Sequence, residues 1–421
     1  MNSLTPSDVA KALREATGLL QRPQRLFALM RKLASDKVRV TFEQKHLYSY
    51  STTKRSSEEA LGLVIRWILN AQRSDGGVAA YYSLLSGYAQ AYPEVTGYLV
   101  PTLYDFAQIC GHGDVTVVPA AERAVGWLMS LQMPEGAFPA GLHSKPQRSA
   151  SPSVFNTGQI LQGLVRAHVE RKRPEILSAA RAAGDWLIQI QLADGSWAGR
   201  GAYQDSAHTY YSMVSWALAA LSVEAGDNKY GLAAEKNLDW CLSHFRPNGW
   251  IDGIHLRGHP NYLHFIAYVL QGLLECAILR RRDNAVEAVT RPAWILLRKF
   301  ETNKFLPGAF AADFKSSFRF TCLTGNAQMS CVWMRLFELT DDLRYLNAAL
   351  KMNEMLKEMI PARGPRGIAG GVSGSYPIWG AYQPLRYISW GCKFFADALL
   401  LERRLTGSFE ASAQMILSCA S

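Results

Sequence analysis

Residues able to move a proton gather in short stretches of this 421-residue chain. Two of the stretches hold five of the nine histidines: His208, His244, His255, His259 and His264. Tyrosine, asparagine and arginine crowd the same places, with Tyr210 and Tyr211 beside His208, and Arg257, Asn261 and Tyr262 beside His264. A tyrosine and a histidine can exchange a proton at a carbon next to a carboxylate once that carboxylate is neutralised. Arg and Asn hold carboxylates, and aromatic faces stack on sugar rings. The pattern predicts chemistry on a uronate sugar, an epimerisation at C5 or an elimination. His208, Tyr210, Tyr262 and His264 make up the expected acid/base set. Asn156, Asn261, Arg257 and Arg386 make up the expected carboxylate clamp. Tyr82, Glu94, Tyr98, Gln159, Asp205, Asn326 and Tyr382 are expected to line the substrate. The blander alternative is that the histidines cap helices and satisfy buried polar groups.

Other chemistries read less well. Hydrolysis of a glycoside needs two carboxylates about 5–10 Å apart, and Glu94, Asp205, Asp252 and Asp313 keep that reading open. His255 and His259 have helical spacing for a metal, but Gly258 and Pro260 argue against a helix there. No metal and no cofactor is expected. The glycine-rich run 367–375 opens no strand-to-helix unit, so it is not read as a phosphate loop. Asp341 and Asp342 read as a helix N-cap.

The elements that position these residues come from a repeat. Trp67, Trp127, Trp186 and Trp240 each stand nine residues before a glycine: Gly76, Gly136, Gly195 and Gly249. In the first three copies a glutamine follows the tryptophan by five residues, as Gln72, Gln132 and Gln191; Phe245 takes that place in the fourth. A fifth copy ends around Gly308 and a sixth lies near Gly364 and Gly370. Each unit reads as a helix carrying the tryptophan, a glycine stop, a long loop, and a second helix that is apolar nearly all round and therefore buried. Six such hairpins predict an all-α (α/α)6 toroid over residues 58–421, its inner helices around a central cavity. Residues 1–57 are expected to form a basic helical extension, capped by Thr5 with Pro6 in the first turn. The long loops and the N-terminal ends of the inner helices would share one mouth, where the candidate residues fall.

The copies RAVGWLMSLQMPEGAF (123–138) and RAAGDWLIQIQLADGSW (181–197) resemble the QW motif of the terpenoid cyclase and prenyltransferase toroids. In those families the motif ties outer helices to neighbouring turns, which implies the same scaffold over about residues 58–400. The stretch FNTGQILQGLVRAH (155–168) resembles a helix in the C-terminal domain of glucuronyl C5-epimerases. The order of motifs is similar to that of toroid proteins encoded with bacterial surface-polysaccharide genes. The sequence departs from the squalene-type cyclases in having no DxDD run to protonate an alkene. It departs from the zinc prenyltransferases too, since Cys322 and Cys331 fall on an inner helix without a well-placed partner.

Net charge is +10, and residues 1–45 carry nine basic against four acidic side chains, a local net of +5. That balance suits an acidic polysaccharide or a lipid-linked saccharide, and contact of the N-terminus with an anionic membrane face. No nucleic-acid motif is present. No stretch reaches the roughly 18 unbroken apolar residues of a membrane helix, and the first residues lack the apolar core of an export signal. The seven cysteines are scattered and odd in number, as in a reduced compartment. The expected setting is cytoplasmic, peripheral to the inner membrane. The expected role is polysaccharide modification, with isoprenoid handling, glycoside hydrolysis and a non-catalytic glycan-binding scaffold as alternatives.

Overall fold

The computed structural model describes residues 25–27, 30–34, 36, 55–109, 116–142, 150–254 and 256–419. His143, His255 and the expected cap at Thr5 and Pro6 lie outside them. Outer and inner helices alternate in six units: α1 (Ser57–Ala71) then α2 (Pro93–Ile109), α3 (Val117–Leu131) then α4 (Val154–Arg171), and α5 (Pro174–Gln189) then α6 (Ser212–Ala225). They continue with α7 (Asn228–Leu242) and α8 (Leu263–Arg280), α9 (Asp283–Asn303) and α10 (Leu323–Thr340), and α11 (Leu343–Met359) and α12 (Ser389–Cys419). The even-numbered helices pack each on the next, and α12 returns to α2, so the ring closes.

The connections explain which end of the ring can hold a site. Inner helices pass to outer ones through pairs such as 172–173, 226–227, 281–282 and 341–342. Outer helices pass to inner ones through loops spanning 72–92, 132–153, 190–211, 243–262, 304–322 and 360–388. All the long loops therefore share one face. Short ladders lace them together. β1 (Tyr81–Ser83) pairs antiparallel with β2 (Gly87–Tyr88) and with β7 (Arg386–Ile388), joining the first loop to the last. β3 (Asn261–Tyr262) pairs with β4 (Ala309–Phe310), and β5 (Thr321–Cys322) with β6 (Ser375–Tyr376). Asp342 caps α11 by accepting from the Arg344 amide, as the paired aspartates predict.

The repeat signature is a set of inter-unit ties. The Gln72 amide donates to Gly76 O (3.0 Å) in its own turn and to Ala120 O (2.8 Å) of the next outer helix. Gln132 does the same with Gly136 and Ala179, and Gln191 with Gly195 and Ala233. The glycines are needed twice over. Gly76, Gly136 and Gly195 have φ of +104°, +95° and +90°, and a Cβ on each would fall 2.2–2.3 Å from a carbonyl oxygen of the next outer helix, that of Arg123, Ala182 or Lys236. The fifth turn is built differently: Gly308 packs under the Phe320 ring, and Lys304 takes the left-handed conformation. In the sixth turn Gly370, not Gly364, is the structural counterpart of the earlier glycines, since it alone of the two lies against an outer-helix carbonyl.

Residues Arg25–Asp36, where described, rest on the first and sixth loops. The Asp36 carboxylate accepts from the Ile378 amide (2.9 Å) and pairs with Lys32 (2.7 Å). The Arg25 guanidinium lies over the Tyr82 ring. Among the described residues only α8 is long and apolar enough to cross a membrane, and it is a mostly buried inner helix between α6 and α10. In the run Arg280–Arg282, Arg280 pairs with Glu235 and Arg282 with Asp239, which joins α7 to the end of α8.

Candidate active site at the long-loop mouth

Helical spacing sets the lining of the ring in layers, since residues three or four apart share a face. The first turns of the inner helices contribute Glu94, Phe155, His264, Thr324 and Trp390. One turn deeper stand Tyr98, Gln159, Tyr268, Gln328 and Phe394. Ring contacts between helices that are not neighbours show that these side chains meet across the lumen. Tyr268 of α8 contacts Phe155 of α4 (5.3 Å between centroids) and Phe394 of α12 (5.6 Å), and lies 4.1 Å from the His264 ring.

Glu94 occupies this aromatic cluster, with 8% of its surface exposed. Its charge bears on five tyrosines, Tyr92, Tyr98, Tyr210, Tyr268 and Tyr382. Burial pushes the Glu94 carboxyl up to about 7, against the opposing pull of a hydrogen bond from Tyr92. It is therefore close to half-ionised at neutral pH, where a general acid or base works best. The same burial holds all five phenols well above their usual range, so they stay protonated and can donate. The Tyr382 hydroxyl also accepts from Trp390 Nε1 (2.8 Å), a bond that would stabilise a phenolate.

His264 is 4% exposed, and burial pulls it down to about 3. Its imidazole stays neutral through the physiological range. Its Nδ1 lies 2.6 Å from Gln328 Oε1, and the Gln328 amide in turn donates to Gln271 Oε1 (3.3 Å). An amide oxygen only accepts, so this network places the imidazole proton on Nδ1 and leaves Nε2 as an acceptor.

Further along the lumen the helices are stitched by charge. Arg166 of α4 pairs with Asp105 of α2 (2.6 Å), Arg335 of α10 with Glu275 of α8 (2.8 Å), and Arg404 of α12 with Glu338 of α10 (2.8 Å). Asp105 lies about 16 Å along α2 from Glu94, at a rise of about 1.5 Å per residue. The lumen thus runs from an aromatic mouth to an ion-paired floor.

His208 Nε2 donates to the Tyr203 carbonyl (2.9 Å), and its ring stacks on Tyr210 (4.9 Å). Tyr262 packs on Tyr382 (5.0 Å) and donates to the Ala381 carbonyl. The clamp is not assembled as expected. The Asn156 amide donates to the Pro139 carbonyl and that of Asn261 to the Phe310 carbonyl, so both brace loops. Arg257 is exposed and donates to the Gln204 carbonyl. Arg386 lies over the Tyr81 ring and donates to Gln383. Asn326 donates to Thr321 Oγ1 and the Cys322 carbonyl. Tyr82 of the first loop packs against Tyr88 of the same loop and Gly367 of the sixth. Asp205 is exposed, Asp252 pairs with Arg246 and Asp313 with Lys315, so among the described candidate acids only Glu94 enters the cluster. Tyr268 and Phe394 were not legible as site residues; the one available signal was that Tyr268 follows His264 by one helical turn.

The family model of the squalene-hopene cyclase C-terminal domain matches residues 35–274, more than half of the chain. The chain belongs to that family. Membership in the squalene-hopene cyclase C-terminal domain family agrees with the QW-like ties. Solved structures similar to this family member share its fold at low identity. An unsaturated glucuronyl hydrolase specific for heparin has a TM-score of 0.67 at 13% identity, covering 83% of this chain and 98% of its own. The cellobiose 2-epimerase of Bacillus thermoamylovorans B4167 has a TM-score of 0.63 at 12% identity, with coverage of 82% and 97%. A D-mannose isomerase has a TM-score of 0.63 at 12% identity, with coverage of 84% and 100%. These likenesses show an (α/α)6 toroid, a ring also used by carbohydrate enzymes. No curated protein matches the sequence.

Proposed function

We propose that this toroid modifies a uronate-containing polysaccharide or its lipid-linked precursor by proton transfer at C5. The observation that carries the reading is Glu94, a buried carboxyl near 7 inside a shell of protonated phenols. Glu94 as carboxylate takes the C5 proton. The phenols donate to the charge that develops on the substrate carboxylate, replacing the arginine clamp. In elimination the C4–O4 bond breaks as the C4=C5 bond forms, Tyr382 protonates the leaving oxygen, and the proton on Glu94 returns to the phenolate. In epimerisation Tyr382 delivers a proton to the opposite face of C5, and the proton on Glu94 again returns to the phenolate. A base with a conjugate acid near 3 cannot hold that proton at neutral pH, so His264 orients the substrate as a neutral hydrogen-bonding group.

The carbohydrate neighbours and the excess of positive charge support this reading. Membership in a cyclase family favours a second one, isoprenoid handling. Against it stand the weakness of Glu94 as an acid for alkene protonation and the amide and ion-paired layers below the mouth. Two-carboxylate hydrolysis would need a partner acid beside Glu94, and Asp205, Asp252 and Asp313 are held elsewhere. The test is incubation with uronate polymers in D2O. Deuterium at C5, or a rise in ultraviolet absorbance from a C4=C5 bond, is expected. Neither signal, from any acidic polymer tried, overturns the proposal.

A further inference from the structure

The Gln159 side chain is fully buried, yet among the described residues neither its Nε2 nor its Oε1 has a hydrogen-bond partner. A buried primary amide left without partners is costly, and in a native protein it calls for an explanation. Its direction is fixed by its neighbours. Gly158 lies against Val214 of α6, and Ile160 lies against Gly97 of α2. Thr157 faces outward, where its hydroxyl accepts from the Phe138 amide (2.9 Å). The residue between Gly158 and Ile160 therefore points at the axis of the ring. It lies one turn below Phe155, which contacts Tyr210 and Tyr268, two of the tyrosines around Glu94.

We infer that Gln159 is a specificity-determining residue that binds a vicinal pair of hydroxyls on the pyranose ring. The inference rests on the uronate reading and names the part of the sugar that is read. A primary amide presents one acceptor and one donor side by side. A carboxylate, which only accepts, would face the Oε1 lone pairs unfavourably. The N–H and C=O of an acetamido group point in opposite directions and cannot both meet one amide. Two adjacent hydroxyls, each donor and acceptor, satisfy both Gln159 atoms at once. A site built to hydrogen-bond a hydroxyl rejects the analogue lacking it, because its own polar groups are then left unpaired.

The test compares methyl glucuronoside with its 3-deoxy analogue, which has no vicinal hydroxyl pair, by saturation-transfer NMR and titration. The wild type is expected to bind the glucuronoside at least 10-fold more tightly. The near-isosteric Gln159→Met variant is expected to lose that discrimination while melting at a higher temperature than the ligand-free wild type, since it no longer buries an unpaired amide. Equal binding of both sugars by the wild type overturns the inference and leaves the proton-transfer reading standing. Discrimination that survives in Gln159→Met, or a lower melting temperature in that variant, also overturns it. Binding of neither sugar overturns the inference. Retained C5 exchange in a Glu94→Gln variant overturns only the proton-transfer reading.

Discussion

His264 and Gln328 face each other across the α8–α10 contact, with Nδ1 and Oε1 2.6 Å apart. The pair fixes the histidine as a neutral group, and burial makes protonating it unfavourable. The folded state keeps this histidine neutral down to about pH 3, whereas the unfolded chain protonates it near 6.5. Between those values the unfolded state binds more protons, so stability falls as pH falls. Relative to a His264→Gln variant, the wild type should lose on the order of 3 kcal/mol between pH 7 and pH 4. Urea denaturation of both proteins across that range checks it. A constant difference would mean that the histidine protonates in place.

Glu94 has the opposite sign. Its carboxyl stays protonated in the folded state up to about 7 but ionises near 4.5 in the unfolded chain. The wild type should therefore lose stability as pH rises from 4.5 to 7. Above pH 7, Glu94→Gln should be the more stable protein by on the order of 3 kcal/mol, with the gain vanishing below pH 4.5. Thermal or urea melts at pH 4 and pH 8 read the difference. A Glu94→Gln variant that is less stable at pH 8 would show the carboxylate to be structurally required.

Closure of the ring is testable at one glycine. Gly370 has φ +82°, and a Cβ on it would stand 2.1 Å from the carbonyl oxygen of Leu63 in α1. Leu63 precedes Trp67 by four residues, as Arg123, Ala182 and Lys236 precede Trp127, Trp186 and Trp240. The sixth turn thus sits on the first outer helix as the earlier turns sit on theirs. Gly370→Ala should cost about 2 kcal/mol or more, from left-handed strain plus the clash, and about as much as Gly195→Ala. Chemical denaturation of both variants measures this. A small loss in Gly370→Ala beside a large one in Gly195→Ala would indicate an open end there.

The same glycine shows where the sequence stopped being legible. The ring could be read because Trp-to-Gly spacing and the glutamines record ties between adjacent units, and such ties depend on local geometry. The sixth copy was blurred between Gly364 and Gly370 because its partner, Leu63, lies at the other end of the chain. Glu94 was visible as a polar residue near an inner-helix start, but its place at the centre was not. Its upward shift comes from burial among tyrosines of the third long loop, α8 and the sixth long loop, which no local window contains. Asn156 and Asn261 looked like ligand clamps, yet each long loop leaves carbonyls that need donors, and these amides supply them.

If Glu94 moves the C5 proton, deuterium wash-in at C5 of a uronate polymer depends on that carboxylate. Wild type and Glu94→Gln would be followed side by side by NMR from pH 5 to pH 9. The wild type should incorporate deuterium at a rate that rises with pH and is half-maximal near 7, with the variant slower by about 100- to 10,000-fold. Wash-in by Glu94→Gln at the wild-type rate, or neither wash-in nor C4=C5 absorbance with the wild type, would rule out Glu94 as the base.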